Sequence, residues 1–433
     1  MTVKVIGAGL AGCEAALQLA NRGINVELFE MKPQKYTPAH SYSGFAELVC
    51  SNSLKASRLG SAAGMLKEEM RLFDSVIMKA ADKSAVAAGG ALAVDRMLFS
   101  DLVTEEIKTH KNIKVIEEEF TEIPDGYVVI ATGPLTSEKM SASIAKLCGE
   151  KYLSFFDAAA PIVSFDSIDM DKVFFAARYG RGDADYINCP FDREQYEIFH
   201  DALINAESAP LNEFDKRDFK VYEGCMPIEV MAKRGADTLR YGPLKPVGLT
   251  DPKTQKRPYA VVQLRKENAT GSMYNIVGFQ TNLKFGEQKR VFSMIPGLEN
   301  AEFLRYGVMH RNTFLDSPKL LNSDFSLRKD DRIFFAGQMT GVEGYIESAA
   351  SGILAGYYLA MKLLGETPVV LPKTSMMGAL SYYISDPTVE NFQPMGSNMG
   401  ILPDIGCRIR DKSERYLRIA ERGLNDLKEA LKG

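Results

Sequence analysis

The sequence predicts an α/β fold, a Rossmann-like dinucleotide-binding domain interrupted by a mixed, mostly β insertion domain. Three observations carry this. The apolar run Val3–Ile6 ends in GAGLAG (Gly7–Gly12) and passes into the helical pattern CEAALQLANRG. A strand, a glycine-rich turn and a long helix recur in RIFFAGQMTGVEGYIESAASGILAGYYLAMKLLG (Arg332–Gly365). Between them, from about Pro161, the pattern changes to strands with irregular loops, among them RYGPLKPVGLTDPKTQKRP (Arg240–Pro258). The expected boundaries are 1–160 and 295–433 for the two parts of the nucleotide domain, and 161–294 for the insertion.

The first unit has the spacing of a dinucleotide site. Gly7 makes a tight turn, Gly9 lets backbone approach a pyrophosphate, and Gly12 lets the helix pack on the sheet. The backbone of Gly7, Ala8, Gly9, Leu10, Ala11 and Gly12 then carries a helix N-terminus toward the phosphates. Glu30 ends the second strand, VELFE, 18 residues past Gly12, where it is placed to accept hydrogen bonds from ribose hydroxyls. From Ser61 to about His110 the pattern is mainly helical, and YVVIATGP (Tyr127–Pro134) is a strand running into a second glycine turn at Gly133. The late unit favours a flavin over a bare nicotinamide, making this an FAD-binding domain. Gly337 and Gln338 bring backbone against the ribityl-pyrophosphate, with Gly341 in the same turn. The helix starting near Gly344 and Tyr345 aims its positive end at flavin N1 and O2. A charged amphipathic helix begins at about Lys412.

Composition narrows the functional classes. With 433 residues, 45% of them hydrophobic, the chain can bury a large core. No apolar run reaches a membrane span and MTVKVIGAG enters a strand at once, so a cytoplasmic protein with no membrane association is expected. Six cysteines and four histidines are scattered without metal-type spacing, so no metal site is expected. No obligate protein partner is evident. The net charge is −4, yet from Lys233 to Arg290 twelve Lys or Arg stand against four Asp or Glu. That stripe is the footprint expected for a phosphate backbone, with Lys253, Lys256, Arg257, Lys284, Lys289 and Arg290 as candidate RNA contacts.

Two cysteines sit in loops rather than in regular patterns, Cys50 in ELVCSNSLK and Cys225 in YEGCMPIEVMA. With GAGLAGCEAA, IPGLENAEFLRYGVMHRNTF, AGQMTGVEGYIESAASG and FQPMGSNMG, these motifs run through essentially the whole chain. On them the sequence resembles the folate- and FAD-dependent tRNA uracil-54 C5-methyltransferase family, TrmFO, a relative of flavoproteins that modify wobble uridines. The resemblance implies FAD, 5,10-methylenetetrahydrofolate and NADPH or NADH as cofactors, and tRNA as the partner. It implies Cys225 as the nucleophile that adds to uracil C6 and Cys50 as the base that removes the C5 proton. A free thiol is only a few per cent thiolate at neutral pH, so each needs a positive neighbour; Lys55, Lys233 and Arg234 are near in sequence. Tyr345, His310 and Arg311 are weaker candidates for the folate pocket, offering a stacking face and a cation.

Three rival readings stand beside this one. The same chemistry on a ribosomal RNA uridine keeps every motif. A small-molecule NAD(P)H-dependent flavin oxidoreductase leaves both cysteine loops and the basic stripe without a purpose. A flavin-bearing RNA-binding scaffold predicts RNA affinity that survives loss of both thiols.

Overall fold

The structure is a computed structural model describing residues 2–37, 39–149, 152–158, 160–180, 183–209, 226–307, 309–390 and 392–432, with backbone alone at 152–158 and 309–313. Its first layer is a six-stranded sheet. In spatial order the strands are Ser326–Leu327, Asp330–Phe335, Val128–Ile130, Thr2–Ile6, Asn25–Glu30 and Ile113–Glu117. All neighbours are parallel except the first pair. Parallel strands need cover on both faces, and the residues meet that need: Val3, Val5 and Val128 to Ile130 are fully buried.

The helices that follow the two glycine turns cross each other at close range. A methyl group on Gly352 would lie 2.1 Å from the Ala11 carbonyl oxygen, and one on Gly356 would lie 2.6 Å from that of Ala15. Small residues in the helix Tyr345–Leu364 thus let its backbone approach that of Leu10–Ala20. Both helices consequently start at the carboxyl ends of parallel strands, where ligands of open α/β sheets bind.

The second layer is an antiparallel sheet in the order Phe174–Phe175, Ile187–Phe191, Ala260–Lys266, Met273–Ile276, Ile162–Ser164 and Phe303–Arg305. Ile187, Cys189 and Phe191 alternate into a separate core with Val262, Leu264 and Ile276, covered by Tyr196, Phe199 and Leu203 of the helix Arg193–Ile204. That core takes in Ile295, Leu298, Ala301 and Phe303, so it runs past the sequence-based boundary at 294. The chain leaves the first layer and returns to it through two paired antiparallel strands, Tyr152–Ala158 and Met309–Leu315. No described helix is long and apolar enough to cross a membrane.

Candidate functional site

The carboxyl ends of the parallel strands open into a cleft of about 1120 Å³, its open mouth included. Gly7 to Ala11, Glu30, Gly133, Gly337, Gln338 and Tyr345 form part of its wall. Gly12, Gly341 and Gly344 stand behind that wall and shape it. A methyl group on Gly12 would lie 1.8 Å from the Gly7 carbonyl oxygen, so Gly12 is required by the turn itself, whose Gly7 has φ +96°. Gly341 makes room for the ring of Phe392 in the FQPMGSNMG motif, which the hydrogen bonds Glu343 N to Met395 O and Met395 N to Gly341 O strap to the glycine turn.

These residues fit an FAD. The Cβ position of Gly9 has no atom within 4 Å, leaving space for a pyrophosphate against backbone. The first-turn N–H groups of the helix Leu10–Ala20 have no i−4 carbonyl to bond and face anionic oxygen naturally. Glu30 accepts the backbone N–H of Ala8 at 2.9 Å and of Lys32 at 3.0 Å, which fixes the carboxylate and leaves each oxygen a lone pair for a ribose hydroxyl.

Cys50 lies at the rim of this cleft, half-buried, between wall residue Val49 and the junction with the second layer. Its loop is held from three sides. The Tyr345 hydroxyl oxygen accepts the N–H of Cys50 at 2.7 Å and of Ser51 at 3.1 Å. Arg265 of the second layer donates to the Asn52 side-chain oxygen at 3.0 Å and to the Ser51 hydroxyl at 2.7 Å. Arg96 donates to the Leu48 carbonyl and places its Nε and Nη2 on the carboxylate of Glu267, at 2.9 and 2.7 Å. The catalytic candidate is therefore clamped between the two layers.

The electrostatics around Cys50 come from residues distant in sequence. Arg305 is pushed down by burial first and by Arg96 second, while Glu267, Tyr345 and Cys50 oppose the shift. Tyr345 is raised by burial and then by the negative charge of Cys50, so it stays a neutral phenol. Of the cations near in sequence, Lys55 is paired with Glu347 at 2.7 Å, and Lys233 and Arg234 are exposed beyond the short helix Ile228–Ala232. Arg96, Arg265, Glu267 and Arg305 are the residues that sequence reading missed. Arg305 lay inside the motif IPGLENAEFLRYGVMHRNTF and Asn52 inside ELVCSNSLK, but neither motif points to these roles, and no spacing signals Arg96, Arg265 or Glu267.

Cys225, and the side chains of His310 and Arg311, lie outside the described residues; the backbone of those two pairs with Asp157 and Phe156 in the connecting strands. All six candidate RNA cations are exposed, with Lys284 paired to Glu207 and Arg290 to Glu287. Three other thiols are packed away, burial raising Cys13, raising Cys148 to about 11 and raising Cys189; Cys407 is exposed. Among the described residues no group of three or more His, Cys, Asp or Glu is placed to hold a metal ion.

Residues 2–367 match the family model described as glucose inhibited division protein A. Proteins named methylenetetrahydrofolate--tRNA-(uracil-5-)-methyltransferase TrmFO are similar over nearly the full chain. That of Acetivibrio thermocellus is 62% identical over 99% of this chain and 98% of its own length. That of Bacillus licheniformis is 58% identical over 100% of this chain and 99% of its own. Among solved structures, Aquifex aeolicus GidA aligns with a TM-score of 0.69 at 17% identity, covering all of this chain and 75% of that one, a likeness of fold.

Proposed function

Because the chain belongs to the GidA family of flavoproteins and, within it, to the TrmFO methyltransferases, we propose that it transfers a one-carbon unit from methylenetetrahydrofolate to C5 of uridine 54 in the T-loop of tRNA. The observation that carries this reading is the position of Cys50, at the rim of the dinucleotide cleft with its backbone fixed by Tyr345.

Uracil C5 is a poor nucleophile until a thiolate adds at C6. Cys225 is the residue for that addition, turning the ring into an enolate whose C5 attacks the one-carbon electrophile. Cys50 then takes the C5 proton, and the electrons of that C–H bond expel the carrier from the one-carbon unit to leave an exocyclic methylene at C5. Hydride addition to that methylene forms the methyl group, and the enolate so regenerated expels the Cys225 thiolate and restores the C5–C6 double bond. Gly7 to Ala11 and Glu30 would hold an FAD, which when bound would supply the hydride chemistry of the methyl-forming reduction, with NADPH or NADH as the source of its electrons. Arg96 and Arg305 place positive charge around Cys50 and favour its thiolate form. The uridine lies within a folded loop, so it must be extruded to reach the two thiols. Phosphate contacts by the exposed cations position the RNA without choosing the base.

The test uses purified protein, methylenetetrahydrofolate, NADPH and a tRNA transcript, with 5-methyluridine mapped by mass spectrometry. A methyl group at uridine 54, absent when that position is cytidine, is expected. Methylation of ribosomal RNA alone, judged against RNA from a strain lacking the gene, would replace this reading with the ribosomal one.

A further inference from the structure

Three aromatic rings form a ladder on the outside of the second layer. Phe303 packs against its core; Tyr306 stacks on Phe303 with centroids 5.3 Å apart and planes 7° apart; Phe285 stacks on Tyr306 at 5.0 Å and 17°. The outermost ring, Phe285, is 55% exposed. The ladder is built to hold its shape: buried Gln288, on the same helix as Phe285, exchanges two hydrogen bonds of 2.8 Å with the backbone of Gly307, fixing the Tyr306 segment on that helix. A large ring held face-on to water by such a support is a binding feature rather than a core residue.

Two observations indicate what it binds. Exposed Lys284, Lys289 and Arg290 stand on or beside the Phe285 helix, cations next to a π-face, the combination that grips single-stranded nucleic acid. Arg305, between Phe303 and Tyr306 in the chain, interacts electrostatically with Arg96, Glu267, Tyr345 and Cys50, so the segment that carries two of the three rings also carries a residue of the Cys50 surroundings. Its Nε and Nη2 are buried with no hydrogen-bond partner among the described residues, while the same two donors of Arg96 are closed by Glu267. Buried charged donors left open in this way call for an anionic partner.

We propose that the Phe303–Tyr306–Phe285 ladder is a stacking platform for a nucleobase of the substrate RNA next to the one that reacts. Extruding one base from a loop removes the stacking partner of its neighbour, and the open face of Phe285 replaces it. Stacking on an aromatic face is tolerant of base identity, so the platform contributes affinity and leaves base choice to the thiol site. The inference rests on the function proposed above.

The experiment measures the dissociation constant of the flavin-loaded protein for the tRNA transcript, and its salt dependence, in wild type, Phe285→Ala, Phe285→Leu and Phe285→Trp. Phe285→Ala should weaken binding by about tenfold without changing the log-log salt slope, since no charge is lost. Phe285→Trp should restore affinity and Phe285→Leu should not, which separates stacking from simple apolar burial. A dissociation constant for Phe285→Ala within about twofold of wild type, or a rise confined to the KM for the folate, would overturn the proposal. If the wild type methylates RNA and Phe285→Ala binds it normally, only the ladder fails; if the wild type neither binds nor methylates RNA, the functional reading fails and the ladder with it.

Discussion

The phenolic oxygen of Tyr345 accepts the backbone N–H groups of Cys50 and Ser51, at 2.7 and 3.1 Å, and so ties the candidate base to the first residue of the late helix. Sequence reading offered Tyr345 as a stacking face for folate; its hydroxyl has a positioning task as well. Phe at this position keeps the ring and removes the acceptor. Each N–H left unpaired costs about 1–3 kcal/mol, so Tyr345→Phe should lower methylation turnover by on the order of tenfold or more while leaving the flavin absorbance intact. Turnover equal to wild type would mean that the Cys50 loop needs no such tether.

Gly9 has an ordinary φ of −74° and open space where a side chain would stand. A bulky residue is therefore compatible with the fold and fills only the cleft. Gly9→Leu should yield a folded but colourless protein, checked by the ratio of absorbance at the flavin band to that of protein. A colourless wild type that cannot be reconstituted with FAD would contradict the flavin assignment itself.

The roles of the two thiols are separable with RNA containing 5-fluorouridine. Fluorine cannot leave C5 as a proton does, so the C6 thioether should persist and be mapped by mass spectrometry to Cys225. Cys225→Ala should abolish both adduct and methylation. Cys50→Ala should abolish methylation yet still permit the adduct, because proton removal follows attack at C6. An adduct on Cys50 would show the roles to be reversed.

Glu69 is fully buried, and its two carboxylate oxygens accept the N–H groups of Met376 and Met377 at 2.7 and 2.8 Å, capping the helix Met376–Ser385. Burial outweighs those bonds and pushes its carboxyl up from 4.5 to about 8. Between these values the folded protein holds a proton that the unfolded chain releases. The contribution to stability is full at low pH and is lost as pH rises through the folded value. The melting temperature should fall from about pH 6 to about pH 8, and Glu69→Gln, which cannot ionise, should flatten that slope. Identical slopes in calorimetry would place the titration on another group, Glu14 being the next candidate, raised by burial to about 7.

What the sequence determined by itself was local. The nucleotide unit is legible because strand, glycine turn, helix and acidic strand end follow one another within the first 30 residues, and each step has its own periodicity or turn chemistry. The late strand and helix were legible for the same reason, and the two cysteine loops stood out because neither a helical nor a strand period accounts for them. The surroundings of Cys50 were decided only by the tertiary structure. Tyr345, Arg96, Arg265, Glu267 and Arg305 come from both layers and meet at one loop, and no spacing along the chain encodes that meeting. The same holds for Lys55, near in sequence yet drawn to Glu347, and for Gly12, whose neighbour is the carbonyl of Gly7. Periodicity reports which face of an element is buried; which charges converge on a thiol depends on how two separately packed layers are joined, here through the paired strands at 152–158 and 309–315.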